Sequence, residues 1–289
     1  MAYTTAHLLA AINRRSFAPT GQTTFSEAEL LLMADEELKT LVVPHILAAR
    51  EEFFVFHKDH DVIAAKFAYP ISARAIGMVT REVQLLNGNN ATDLPRIEPE
   101  AVVDYGTGAV SSFYLKNNDV CLYKSPSSTS GTLRIYYFLR PGDLVTLAES
   151  AVISAIDTVT NVASVTTIPS AWVTGNSFDF IKKDGGHEYV SIDNTSSLVS
   201  GTDITFATLP STLAVGDYVS LAGQSPLVQL PPDYQPILAQ ATAVQVLEAM
   251  NQPGAEKAES RLKRMLEVAQ ILITPRVIGE SRVVLQNWF

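Results

Sequence analysis

The run Gly131-Thr-Leu-Arg-Ile-Tyr-Tyr-Phe-Leu-Arg-Pro-Gly-Asp-Leu-Val145 constrains this chain more than any other stretch. From Thr132 to Phe138 it sets β-branched and aromatic residues on both faces of an extended backbone, and Pro141-Gly142 stops it. A strand apolar on both faces has to be covered twice. It therefore belongs in the middle of a sheet or against a neighbouring subunit.

Helical periodicity surrounds this strand. Residues 4–15 read as a short helix capped by Thr4 or Thr5, with Leu8, Leu9 and Ile12 on its apolar face and Pro19-Thr-Gly21 beyond its end. A second helix is expected from Ser26, whose first turn carries Glu27 and Glu29 where carboxylates oppose the dipole. Leu30, Leu31, Ala34, Leu38, Leu41, Val42, Ile46 and Ala49 extend its apolar stripe, predicting a helix to about Phe56 with a kink at Pro44. Strands are expected over Ile63–Tyr69 and Ala75–Leu86. A hairpin is expected from Ser112–Leu115 and Val120–Tyr123 around Asn117-Asn118-Asp119.

Residues 150–226 change character. Arginine is absent, and two lysines, Lys182 and Lys183, face seven acids, a balance of 2 − 7 = −5. Short β-runs at Val152–Ile156, Ala163–Thr167, Glu188–Ile192 and Asp203–Phe206 alternate with Gly, Asn, Ser and Asp clusters, the pattern of a small barrel or sandwich. After Leu230-Pro-Pro, Asp233 is the expected cap of a helix over 234–250. Asn251-Gln-Pro253 leads to a second helix to Ile273. Ile237, Ala241, Val244 and Leu247 face Leu262, Leu266, Ala269 and Leu272 in the antiparallel hairpin this predicts.

The fold class is thus α+β: a helical bundle with β-strands, an inserted small β-barrel or β-sandwich domain, and an extended C-terminal arm. The expected divisions are 1–149 (helices and mixed β), 150–228 (inserted β-domain), 229–275 (hairpin completing the bundle) and 276–289 (arm).

Composition narrows the function. The chain has 289 residues, is 47% hydrophobic and only 18% charged, below the roughly 25% of ordinary globular domains. Part of its apolar surface is expected to face partner subunits. A net charge of −9 argues against a protein that grips nucleic acid, and is only compatible with a surface that DNA passes without sticking. Cys121 is the single cysteine, so no internal disulfide forms. The start, Met1-Ala-Tyr-Thr-Thr-Ala-His7, reads as no signal peptide, and no apolar run reaches the roughly 18 residues of a membrane span. A soluble protein made in a reducing compartment is expected.

No motif carries its full chemistry. His57 and His60 are placed three apart, sharing a face if helical, but lack a third ligand. Gly185-Gly-His187-Glu188 reads as a turn entering a strand, and Tyr105-Gly-Thr-Gly108 lacks the third glycine of a dinucleotide loop. Cys121 reads as a buried thiol. Arg74, Arg81, Arg96, Arg134 and Arg140 are scattered, some of them expected to pair with Glu98, Glu100 or Asp104, and they make no phosphate track. No enzyme activity, metal or cofactor is expected. The strongest candidate is the arm, where Arg276, Arg282, Val283, Leu285, Trp288 and Phe289 read as a partner-binding segment with an aromatic anchor.

The order of parts is similar to a known family. Glu51-Glu-Phe-Phe54, Tyr69-Pro-Ile-Ser-Ala-Arg-Ala-Ile-Gly77, Leu94-Pro-Arg-Ile-Glu98 and Leu133-Arg-Ile-Tyr-Tyr-Phe-Leu-Arg-Pro141 with Leu144-Val145 resemble head-to-tail adaptor, or connector, proteins of tailed bacteriophages. The resemblance covers most of residues 25–145 and the hairpin at 233–273, and the β-region at 150–226 departs from the minimal helical adaptor. It implies a ring of about twelve identical subunits in the virion neck, assembled in the host cytoplasm. That ring would bind the portal protein and a downstream tail or nozzle protein, with double-stranded DNA passing through without tight binding. The competing readings are a binding module, in which Trp172, Phe178, Phe180 and Tyr189 of the β-region recognise a carbohydrate or host surface, and a hydrolase with a Ser–His or paired-carboxylate site.

Overall fold

The computed structural model describes residues 3–16, 24–88, 90–101, 106–183 and 189–273. The chain divides into two compact units, Met1–Phe53 with Pro141–Phe289, and Phe54–Arg140. It is a mixed α+β protein with a helical bundle and a closed six-stranded barrel.

The first unit begins with α1, Thr5–Arg15. Thr4 is its cap: the His7 amide donates to Thr4 Oγ1 at 3.4 Å and the Thr4 amide donates back to His7 Nδ1 at 3.3 Å. Ser26 and Glu29 repeat the device at α2, Glu27–Glu37, with the Ser26 amide 2.6 Å from Glu29 Oε2. Two reciprocal caps explain why both helix starts were readable from local sequence.

Where the sequence leads to a kink at Pro44, the helix carries a π-helical irregularity just before it. Residues Leu38–Val42 adopt a π-helical turn in which the Val43 amide donates to the Leu38 carbonyl, before α3, Val43–Ala49, resumes. The wider turn ends beside Pro44, which lacks an amide hydrogen to continue the regular ladder. The helix stops at Ala49 and not near Phe56. Arg50 turns extended, and a short 3₁₀ turn over Glu51–Phe54 feeds a strand. The aromatic and β-branched run Phe53-Phe-Val-Phe56 favours that strand over a further helical turn.

Helix α4, Gln235–Ala249, is the centre of the bundle. Ile237 through Val244 are buried, with Val246 and Leu247, and it packs on α1, on α2 and on α5, Ala255–Ile273. The single apolar face read from the sequence is therefore too narrow. Asp233 is not the cap: Tyr234 occupies that position with no side-chain cap, and Pro236 in the first turn presets the helical backbone. Tyr234 is buried, and its hydroxyl lies 2.9 Å from His45 Nδ1. On α5, Leu262 and Ala269 are buried as read, but Leu272 is 63% exposed. Lys263 and Glu259 form an i,i+4 pair at 3.8 Å.

The second unit holds the diagnostic strand. Its strands in chain order are β1, Val55–Asp61; β2, Ala68–Pro70; β3, Ala75–Asn87; β4, Asn90–Asp93; β5, Thr107–Gly108; β6, Phe113–Lys116; β7, Asp119–Leu122; β8, Ser125–Pro126; and β9, Thr132–Leu139. The main sheet runs β1-β9-β3-β4, antiparallel throughout, so β9 is interior as its composition requires. Only one face is fully covered: Leu133, Ile135, Tyr137 and Leu139 are buried, while Thr132, Arg134, Tyr136 and Phe138 are half-buried. Arg134 accounts for part of this, because its guanidinium stays at the sheet surface to meet Asp59.

Strand Ile63–Tyr69 is not formed as expected. Ala65 turns through a positive φ of 62°, and only Ala68–Pro70 pairs, with β7. The hairpin β6–β7 closes through Asn117, φ 56°, a residue that tolerates the left-handed conformation, with Lys116 opposite Asp119.

In the first unit β10, Asp143–Leu144, pairs in parallel with β17, Gln224–Ser225, at the mouth of the barrel segment. Gly142 permits this, since a Cβ there would meet the Gln224 carbonyl carbon at 2.9 Å. The barrel strands are β11, Ala151–Asp157; β12, Val162–Val165; β13, Ser177–Ile181; β14, Tyr189–Ser200; β15, Asp203–Phe206; and β16, Tyr218–Leu221. They close in the order β11-β12-β15-β14-β13-β16, so the β-region is a barrel and not a sandwich. Two of these strands, β13 and β16, carry no clean alternation, and Asp179 and Asp217 interrupt the apolar signal at and beside them.

Candidate functional site

The sequence-derived candidates scatter over the structure. His57 and His60 sit on β1, a strand and not a helix, so residues three apart point to opposite faces. His57 lies 5.6 Å from the Tyr136 ring, whereas His60 lies 5.8 Å from Tyr69 and places Nε2 3.2 Å from the Pro70 carbonyl. Burial lowers the pKa of both, with Arg134 adding to the effect at His57 and Lys58 at His60. Among the described residues no group of three His, Cys, Asp or Glu side chains is placed to hold a metal ion.

Arg134 finds Asp59, its partner in the β1–β9 register, rather than Glu98 or Glu100. Nε and one terminal nitrogen each lie 2.8 Å from a carboxylate oxygen, a two-pronged bridge across the strands. The hydrogen bonds from Arg134 hold the Asp59 carboxyl below its ordinary range, and the carboxylate raises the guanidinium. Thr107-Gly108 pairs with Ser125-Pro126 and opens no helix, unlike a dinucleotide loop. Cys121 is buried on β7, and burial pushes its thiol up, with Asp119 assisting. His187, Glu188 and Tyr105 lie outside the described residues. So do Arg276, Arg282, Val283, Leu285, Trp288 and Phe289 of the expected arm.

The barrel aromatics are not a binding surface. Trp172, Phe178 and Phe180 are buried in the barrel interior with Ile153, Ile204, Phe206 and Val219. Trp172 packs edge-on to Phe178 with ring centres 4.9 Å apart, and Phe180 to Phe206 at 5.1 Å. Tyr189 is half-buried and donates from its hydroxyl to Gln229 Oε1 at 2.7 Å, which also accepts from the Gly142 amide at 3.1 Å. Closing the barrel turned an apparent aromatic patch into its core.

Exposed large apolar side chains occur at several places, Leu32 and Val159 among them, and three of them share the C-terminal half of α5. Val268, Ile271 and Leu272 are 52%, 57% and 63% exposed. Val268 and Leu272 border a groove of about 500 Å³ against the start of α4, where Pro232, Pro236 and Met265 form an apolar wall and Arg264 a basic edge. Helical spacing of 268, 271 and 272 puts these side chains on one face. Apolar exposure of this kind is a mark of an interaction surface.

A second polar tie anchors the helices to the barrel entrance. Lys39, on the π-helical turn, donates to both Asp35 and Asp143. Burial pushes the Asp35 carboxyl up against the opposing pull of Lys39. At Lys39 burial acts downward, but the two carboxylates outweigh it and hold the ammonium above its ordinary value.

No protein-family model matches this chain, and no curated protein matches it. Among the described residues no helix is long and apolar enough to cross a membrane.

Proposed function

We propose that this protein is a structural virion component, a ring-forming adaptor in the neck of a tailed bacteriophage that joins the portal to the tail around the DNA channel. The observation that carries the reading is the exposed apolar half of α5. Val268, Ile271 and Leu272 lie in water beside a groove, on the helix from which the chain continues into residues 274–289. Those residues include Val283, Leu285, Trp288 and Phe289, aromatic and aliphatic anchors of the kind that dominate interfaces. The interior position of β9 and the resemblance of residues 25–145 support the same reading. A closed ring needs two different faces on each subunit, and packed helices supply rigid ones. The proposal assigns no catalytic step to the chain.

The test is co-purification with the portal of the same phage. The wild-type chain is expected to remain with the portal through gel filtration, and an Ile271→Asp, Leu272→Asp double variant to elute apart from it. Both side chains are exposed, so helical circular dichroism should be unchanged. Retention of the double variant on the portal would move the interface elsewhere.

A further inference from the structure

The opening turns of α5 carry Lys257 and Arg261, and the last turn of α1 carries Arg14 and Arg15. These four side chains line one cavity of about 570 Å³, together with Gln240 of α4. No carboxylate lines it, in a chain whose acids outnumber its bases 30 to 21. Among the described residues, no salt bridge engages Arg14, Lys257 or Arg261. Arg15 donates to the Pro236 carbonyl. Burial lowers the Arg15 pKa, and the charges of Arg261 and Arg14 press the same way against the opposing Tyr3. An anion among these guanidinium groups would relieve their mutual repulsion.

Two further observations define the anion. Gly254 lines the cavity and directly precedes α5, bringing the positive end of this 19-residue helix to the cavity, with Glu256 in its first turn outside the lining. Gln240, only 3% exposed, donates through Nε2 to the Ala258 carbonyl at 3.2 Å, and its Oε1 is buried without any partner. An orphaned amide oxygen is unfavourable unless something in the cavity donates to it. The walls therefore ask for negative oxygens and one hydroxyl on the same ligand.

We propose that this cavity binds hydrogen phosphate, which keeps one proton near neutral pH where a phosphate monoester has largely lost its own. Lys257, Arg261, Arg14 and the start of α5 hold the charged oxygens, and the P–OH donates to Gln240 Oε1. Sulfate carries no proton near neutral pH, and a phosphodiester carries none at all, so both fit less well. The site is independent of the ring reading and stands or falls separately.

The experiment is calorimetric titration of inorganic phosphate into the full chain near neutral pH, beside sodium sulfate and sodium chloride at matched ionic strength. Phosphate is expected to bind saturably and about tenfold or more tighter than sulfate, the factor expected for one well-made hydrogen bond. A Lys257→Gln, Arg261→Gln double variant should lose about tenfold or more in phosphate affinity. Both residues are exposed, so its melting temperature without phosphate should match wild type. Gln240→Leu should bring phosphate affinity down to that of sulfate. A short duplex with a 5′-phosphate, which carries little P–OH near neutral pH, should bind no tighter than the same duplex without it. Equal affinity for phosphate and sulfate in the wild type, or an unweakened double variant, would overturn the site. No response to inorganic phosphate, or duplex binding that requires the end phosphate, would overturn it as well.

Discussion

Two buried aspartates show how single residues hold the barrel. Asp179 accepts from the amides of Asp193 at 2.9 Å and Gly223 at 3.0 Å, and Asp217 accepts from those of Lys183 at 3.1 Å and Ala214 at 2.8 Å. Each carboxylate satisfies backbone donors that strand pairing leaves open, Asp193 at an irregularity within β14 and the others in connecting segments. Asp179→Ala removes the acceptor and strands both amides, at about 1–3 kcal/mol for each one left unsatisfied. Asp179→Asn keeps one acceptor and should lose less. Urea unfolding should rank the three proteins in that order, and an alanine variant as stable as wild type would contradict this role.

The histidines set a pH dependence of definite sign. Burial lowers the folded-state pKa of His45, His57 and His60. The unfolded chain takes up these protons near its ordinary value of about 6.5, while the folded chain does so only at lower pH. In that window the unfolded state binds more protons, so stability is lost as pH falls through it. Asp35 and Glu37, raised mainly by burial, oppose the trend at lower pH. His60→Gln isolates one contribution. Its melting temperature should fall less steeply than that of wild type between about pH 7 and pH 5.5. Parallel slopes would show that His60 contributes nothing to the pH dependence.

Among the elements, α5 carries the proposed portal contact, and its predicted behaviour separates that contact from its part in the fold. Truncation after Pro275 leaves Leu262 and Ala269 in the bundle, so melting should stay within about 0.5 kcal/mol of wild type in stability, the usual range for surface changes. The same truncation should abolish attachment to the portal, because it removes Trp288 and Phe289. Attachment by the truncated chain would reassign those residues to its own fold.

Legibility in the sequence followed how local each cause was. Ser26 with Glu29 and Thr4 with His7 cap their helices within one turn, and β9 declares itself by composition. Ile63–Tyr69 misleads because its apolar residues flank a turn at Ala65, and β13 and β16 are obscured by the carboxylates at and beside them. The barrel aromatics illustrate the deeper limit. Whether Trp172 faces water or core depends on which strands close the barrel, and no local window carries that. Neither was the cationic cavity visible, since Arg14 and Arg261 lie far apart in the chain and meet only through α4.

At the scale of the whole molecule, a net charge of −9 disfavours long-lived contact with duplex DNA, which suits a channel wall. Duplex binding by the free chain should be weak, and tight salt-sensitive binding would count against the proposed channel role. The ring itself is the claim on which the proposed function rests. Light scattering coupled to gel filtration, on the chain alone and mixed with its portal, measures it most directly. The mixture should yield one species whose mass equals the portal assembly plus many copies of the 31.4 kDa chain, whether or not the chain alone is monomeric. A mixture in which the portal mass does not change, with this chain eluting as a monomer beside it, would contradict the ring.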